Sequence, residues 1–380
     1  MKRNLILFAF LIHVSFVYSQ MVDYRNYYRT INRAELKIVD SLFNDAMTIY
    51  DSAFSIVDKP FGKDYHNAAL CAIIGNNDDK AFVYLDKLMK KGVNMDYFDK
   101  DVFNPLRNSQ KWDDFTKKYE AKHEEIMKSF DLDLRKELET MQRKDQAMDI
   151  LRMSNIAENR DSFAICVFKN IERINEIINT KGFPDENKFG VIGLPHTNPV
   201  WMPFLHYILE NTFMASAKRQ ELIDRGVAPT YKVEKAGIDY NKYDITAILM
   251  KASLEGKFPV HSFAAMEEEK LNPVKYGCRI YIKSGDTILY VNYSKSEAYK
   301  IDSIRMDIGL ESLKDYRKKF EYFEGLPNND IRRKFYFDFQ SSKRMYTYKT
   351  EQGKKLHNEI MQGDNSLYMD NLDILKYLKE

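Results

Sequence analysis

The chain has 380 residues, of which 44% are hydrophobic, 13% aromatic and 30% charged, with a formal net charge of +2. A chain of this length buries a full core and builds two or more domains. Its interspersed charges exclude wholesale disorder, a collagen-like repeat and a disulfide-dense scaffold, and the near balance gives no support to a basic nucleic-acid binder.

The first residues read as an address. Lys2 and Arg3 precede an apolar run from Leu5 to Val17, interrupted only by His13 and Ser15, and Val17-Tyr18-Ser19 then leads into Gln20. That is the order of a secretory signal: charged, apolar, then a cleavage region. The run is shorter than the ~20 apolar residues of a membrane span, so we expect cleavage after residue 19 rather than a stable membrane anchor. Cleavage removes two positive charges and leaves a formally neutral chain, and we expect a periplasmic or extracellular location. Cys71, Cys166 and Cys278 remain. An odd, widely spaced set is no disulfide framework and allows at most one bridge.

Residues 21–130 read as helices. Ala68, Ala69, Cys71 and Ala72 form a small-residue stretch, Gly75-Asn76-Asn77-Asp78 makes a turn, and Ala81, Tyr84, Leu85 and Leu88 carry a second apolar stripe. This pair resembles one tetratricopeptide repeat near residues 62–95, and Trp112 opens a further helix. Residues 131–320 form the second expected domain. Leu134, Leu138, Met141 and Met148 recur at helical spacing, with Asp145 on the same stripe, where a carboxylate must find a partner. A helix from Phe163 to Thr180 stops at Gly182, a Gly- and Pro-rich loop follows, and the helix from Trp201 carries His206 at its apolar edge. The alternation of Arg279–Lys283 and Thr287–Asn292 about Gly285 predicts a β-hairpin. In a C-terminal extension, 321–380, Lys334–Phe339 and Arg344–Lys349 predict a second, aromatic hairpin through Ser341-Ser342, and Leu367–Leu378 a short helix. The fold class expected is therefore α+β, mainly α with a smaller β part.

The polar residues of the second domain run in the order Asp145-Gln146, Gly182-Phe183-Pro184 with Gly190, His206, Glu269-Lys270, Tyr276-Gly277-Cys278-Arg279, and Arg305 before Gly309-Leu310. This resembles a widespread bacterial domain of unknown function over about residues 132–320. Members of that family carry Asp-Gln, Gly-Trp-Pro, Gln-His, Asp-Arg, a Gln-x-Tyr-Gly-Thr-Gln strand and an Arg before Gly-Leu. Phe183 replaces the tryptophan, Glu269-Lys270 the Asp-Arg pair, and Cys278-Arg279 the Thr-Gln. The resemblance implies a polar site of Asp145, Gln146, Lys270, Tyr276, Arg279 and Arg305 and assigns no reaction; a catalytic family would make this member an altered one.

No metal or cofactor signature is present: there is no His-Glu-x-x-His, Cys-x-x-Cys, Gly-x-Ser-x-Gly or phosphate-binding Gly-rich loop. Cys278 beside Arg279 raises the thought of an activated thiol, although neighbours on a strand point to opposite faces. The acidic run Glu267-Glu268-Glu269 reads as a solvated helix face, from which the family pattern lifts only Glu269. Two functions are expected. One is an exported binding module, taking a protein or peptide on its helical N-terminal part and a small polar ligand in the second domain. The other is a cell-envelope hydrolase with His206 as general base or acid, Glu269 or Asp145 as its acidic partner, and Arg305 holding an anion.

Overall fold

The computed structural model describes residues 23–152, 156–194, 198–224, 226, 228–268, 275–278, 281–284, 287–290 and 293–337. Four helices open it in close succession: α1 (Arg25–Val39), α2 (Phe43–Phe54), α3 (Gly62–Ile74) and α4 (Asp78–Lys90), each packed on the one before. A longer helix, α5 (Gln110–Lys128), lies on α4 after three short helical turns. The α3–α4 turn follows the predicted chemistry. Asn76 takes a left-handed conformation at φ 54, and the Asn77 side chain caps α4 by accepting from the Lys80 N–H. Acidic Asp78 and Asp79 open α4, and Lys87 and Lys90 close it, matching the helix dipole.

The arrangement is that of successive helical hairpins, as a tetratricopeptide-like reading expects. Its centre is α3, in which every residue from Gly62 to Ile73 is buried. A helix buried all round cannot be amphipathic. Its polar residues Lys63, Asp64, His66 and Asn67 must therefore be answered by other side chains.

The second half starts with an antiparallel pair, α6 (Leu132–Arg152) and α7 (Ala157–Lys181), on which α8 (Trp201–Met214) packs. Gly182 ends α7 with a φ of 75. Then come α9 (Ile245–Leu254) and α10 (Val260–Glu267), followed by α11 (Lys295–Asp307) and α12 (Leu313–Gly325), which returns to pack on α1. Most buried apolar residues from Tyr24 to Phe337 form one contiguous core, with Leu222 and Ala228 in a small cluster apart from it.

The expected α+β class is corrected: the fold is helical. Strand among the described residues is limited to one ribbon, Tyr281–Ser284 antiparallel to Thr287–Tyr290, with Tyr281 opposite Tyr290. Two four-residue strands build no sheet layer. Lys334 ends a 3-10 turn, Ile331–Lys334, and Phe335 continues as extended chain. The alternation does mark a buried side, on which Phe335 meets Phe43 of α2 and Phe337 meets Tyr322 of α12. Residues 338–380, with the expected turn at Ser341-Ser342 and the Leu367–Leu378 helix, lie outside the described residues, as do residues 1–22. No helix among the described residues is long and apolar enough to cross a membrane.

Candidate functional site

Three polar groupings stand out in the helical core. The first joins α6, α7 and α8. The carboxylate of Asp145, fully buried on the α6 stripe, lies with Oδ2 2.5 Å from His206 Nδ1. Asn170 Nδ2 donates to the other oxygen at 3.4 Å. The second imidazole nitrogen, Nε2, stands 4.0 Å from Asp149 Oδ2, and Asp149 in turn accepts from Arg152 Nε at 2.7 Å. Phe163 closes the side of the ring edge-on, 5.1 Å between centroids. One turn further along α8, Glu210 pairs with Arg160 of α7 at 2.7 Å, both nearly inaccessible. Burial pushes the Glu210 carboxyl up against the attraction of Arg160, and pushes Arg160 down.

The second grouping is a chain of buried charges alternating in sign from α3 to α11. Lys63 lies 2.8 Å from Asp64 and 3.7 Å from Glu35 of α1. Lys319 of α12 contacts Glu35 at 2.5 Å, Asn32 at 3.0 Å and Glu311 at 3.0 Å. Glu311 accepts His261 of α10 at 2.7 Å. Arg305 of α11, wholly inaccessible, donates Nε to the Glu311 carbonyl at 2.5 Å and Nη1 to the Tyr276 carbonyl at 2.7 Å. Tyr27 completes the far end, donating to Asp64 at 2.5 Å and accepting from the Phe61 N–H. Burial opposes ionisation of Glu311, yet His261, Lys319 and Arg305 overcome it and hold the carboxyl well below its ordinary range. Asp64 goes the other way: burial outweighs Lys63 and raises it to about 6.

Beside this chain, Glu268 Oε1 accepts three consecutive backbone N–H groups, those of Lys275, Tyr276 and Gly277, at 2.5–3.0 Å. The loop is thereby folded around one carboxylate and delivers the Tyr276 carbonyl to Arg305.

The third grouping lies on α3. Asn67 spends its amide on the backbone of Tyr336, accepting its N–H at 2.8 Å and donating to its carbonyl at 3.2 Å. His66 Nε2 meets the Lys334 carbonyl at 2.8 Å, its Nδ1 faces the Tyr97 hydroxyl, and its ring stacks on Tyr336. Burial drives the imidazole down to about 4.

Comparison with protein-family models, curated proteins and solved structures returned no match.

The resemblance to the bacterial family thus rests on the order of its motif pieces alone. Of the residues that pattern singled out, the structure brings together Asp145 with His206, and Tyr276 with Arg305 through the Tyr276 backbone. The two pairs belong to different groupings rather than to one pocket. Gln146 is half-buried, with its Nε2 enclosed and without a hydrogen-bond partner among the described residues. Glu269, Lys270 and Arg279 lie outside the described residues. Glu268, read as part of a solvated face, is instead buried and committed to the backbone; Glu267 accepts from the Thr246 hydroxyl at 2.8 Å. All three cysteines are free and buried. The Cys278 thiol is pushed up by burial, the reverse of an activated nucleophile.

Sequence reasoning missed Glu35, Lys63, Asp64, His261, Glu311 and Lys319. The signal was present for Glu35, which falls on the Ile31–Ile38 stripe, and for Lys319, flanked by Tyr316, Phe320 and Phe323. Among the described residues, no group of three or more His, Cys, Asp or Glu is arranged to hold a metal ion.

Proposed function

We propose that this is an exported protein that works by binding rather than by catalysis, taking a protein or peptide through its helical N-terminal half. The observation that carries the reading is the enclosure of His206. Its ring is 5% exposed, bracketed by Asp145 and Asp149 and walled by Phe163. A general base must reach a substrate proton within hydrogen-bond distance or through one water. A histidine whose Nδ1 is spent on a fully buried carboxylate serves instead to satisfy it. The succession of helical hairpins from α1 to α5 supports the other half of the proposal, since stacked hairpins present an extended face to a partner. The basic and apolar run from Lys2 to Val17 supports export.

Thermal unfolding of His206→Ala and His206→Gln tests the choice. The binding reading expects both to lower the melting temperature, Ala more than Gln, because Asp145 loses its buried partner. An Ala variant that melts like the wild type but loses turnover of a hydrolysable ester, amide or glycoside would overturn it. Export is checked by mass spectrometry of the native protein, with Gln20 or Met21 expected as the first residue and an intact Met1–Ser19 counting against it.

A further inference from the structure

The α6–α7 hairpin ends in a patch that the described residues leave open to water. Ile150 and Leu151, in the last turn of α6, are 68% and 50% exposed, and Ile156, just before α7, is 53% exposed. Three of the nine exposed large hydrophobic side chains among the described residues thus fall at one end of one hairpin. Ala147, one turn earlier on α6, is exposed as well. Phe213 of α8 is half-buried near the same end, its ring 5.6 Å from the guanidinium of Arg160 in the first turn of α7. Apolar residues exposed one at a time are ordinary, but a group of them marks a contact surface.

The patch adjoins the polar cluster described above. Arg152 and Asp149 pair on the same turn as Ile150, with side chains 30% and 15% exposed, and Asp149 lies 4.0 Å from His206 Nε2. A cover over Ile150 and Leu151 would shield this pair from water and strengthen its attraction.

The size of the patch limits what covers it. Three or four side chains amount to a few hundred Å², well under the ~800 Å² that each partner of a stable dimer buries. One short helix laid across it fits. A segment of the same chain needs only a small contact, because its effective concentration is high.

The sequence supplies such a segment. Wound as a helix, Leu367, Tyr368, Leu372, Ile374, Leu375 and Leu378 would share one side, with Asp370, Asp373 and Lys376 on the other. Residues 338–366 connect it to Phe337 and span on the order of 90 Å when extended. That exceeds the roughly 50 Å breadth of a domain of this size, so the segment can reach the patch from where the described chain stops.

We propose that Leu367–Leu378 docks as an amphipathic helix on Ile150, Leu151 and Ile156, closing the open end of the α6–α7 hairpin. The docked segment hides the apolar patch and thereby keeps the chain from associating with itself through it.

The test measures proximity in the full chain. One variant carries I150C and L375C, and a control carries V83C and L375C. Val83 is exposed to a similar degree, at 51%, on α4. Cys71, Cys166 and Cys278 are buried, and the wild type gives their background. A short bismaleimide should link 150 to 375 within one chain at least tenfold faster than 83 to 375, read by peptide mass spectrometry. Equal rates, or links only between chains, overturn the proposal.

Hydrogen exchange gives a second readout. In the full chain, L372D with L375D should speed exchange of the Ala147–Arg152 amides at least tenfold and leave α3 unchanged. Unaltered exchange in that turn would sink the proposal. Protection there that appears only at high protein concentration, or only with phosphatidylcholine vesicles, would assign the patch to a second copy or to lipid and overturn it equally.

Discussion

Lys319 Nζ stands 2.5 Å from Glu35 Oε2 although 284 residues separate them, and the same ammonium reaches Glu311 at 3.0 Å. One cation therefore neutralises a carboxylate of α1 and another beside α12, in a region none of them shares with water. The pairing holds the Lys319 charge against the burial that would remove it.

Removing that cation leaves Glu35 with Lys63 at 3.7 Å and Glu311 with His261 at 2.7 Å. Lys319→Ala is expected to destabilise by about 3 kcal/mol, the cost of taking one partner out of a buried charge network. Lys319→Met combined with Glu35→Leu, which removes charge from both sides, should cost clearly less than the sum of its parts. Urea unfolding of the two single variants and the double variant measures the coupling.

Two buried groups on α3 pull stability against pH in opposite directions. Asp64, at about 6 in the folded chain against 3.8 unfolded, is penalised when ionised, so the fold gains as pH falls through 6 toward 4. His66, at about 4 folded against 6.5 unfolded, does the reverse: the unfolded chain takes up its proton first, and the fold loses over the same window. Glu311, held low, stays ionised there and contributes no slope until pH falls through its depressed folded value. Asp64→Asn deletes the gain and leaves the loss. Relative to wild type it should lose about 2 kcal/mol more between pH 7.5 and 4.5, read from denaturant midpoints at the two ends. Parallel profiles would contradict the assignment.

The Arg160–Glu210 pair gives a sharper pH signature. Arg160→Ala should destabilise by about 3–5 kcal/mol at pH 7.5, because it leaves a buried carboxylate alone. Burial already raises the Glu210 carboxyl, so the cost should shrink as pH falls and the carboxyl takes up a proton. A penalty independent of pH would show that Glu210 keeps its charge by other means.

Gly309 tests the contact between the two halves. It sits at φ 90, and an added Cβ would lie 2.9 Å from the Arg25 backbone at the start of α1. Around it, Arg25 and Arg29 donate to the Asp307 and Met306 carbonyls that end α11. Gly309→Ala should cost about 1–3 kcal/mol from backbone conformation alone, and more from the overlap with α1. Gly193→Ala, facing open space, should be close to neutral in the same thermal melts.

The helical periods were readable because one side of each helix is apolar. Leu134, Leu138 and Asp145 of α6 are all buried, as their common stripe implies. The need of Asp145 for a partner was readable too, since a carboxylate in that position is costly alone. Its partner's identity was within reach, but not its enclosure, because that depends on Phe163 and Asp149 arriving from other turns. The aromatic alternation at Phe335 and Phe337 was legible only as burial, for a related reason. Period two reports one buried face of extended chain, and it cannot say whether a strand or a helix lies opposite. The charge chain was the least readable: Lys63 and Asp64 look like surface residues until α3 is known to be surrounded.

The closure of α12 and the Lys334–Phe337 stretch onto α1 and α3 also sets an order of events. A chain that emerges N-terminus first makes its opening helices early, but Glu35 and Asn67 find their partners only once residues 319 and 336 have followed. Until then Glu35 and Asp64 share the single cation Lys63, and Asn67 lacks its backbone partner. Contacts this far apart in sequence close slowly. Such a chain would stay loose while its early helices wait and lock only when its last ones arrive.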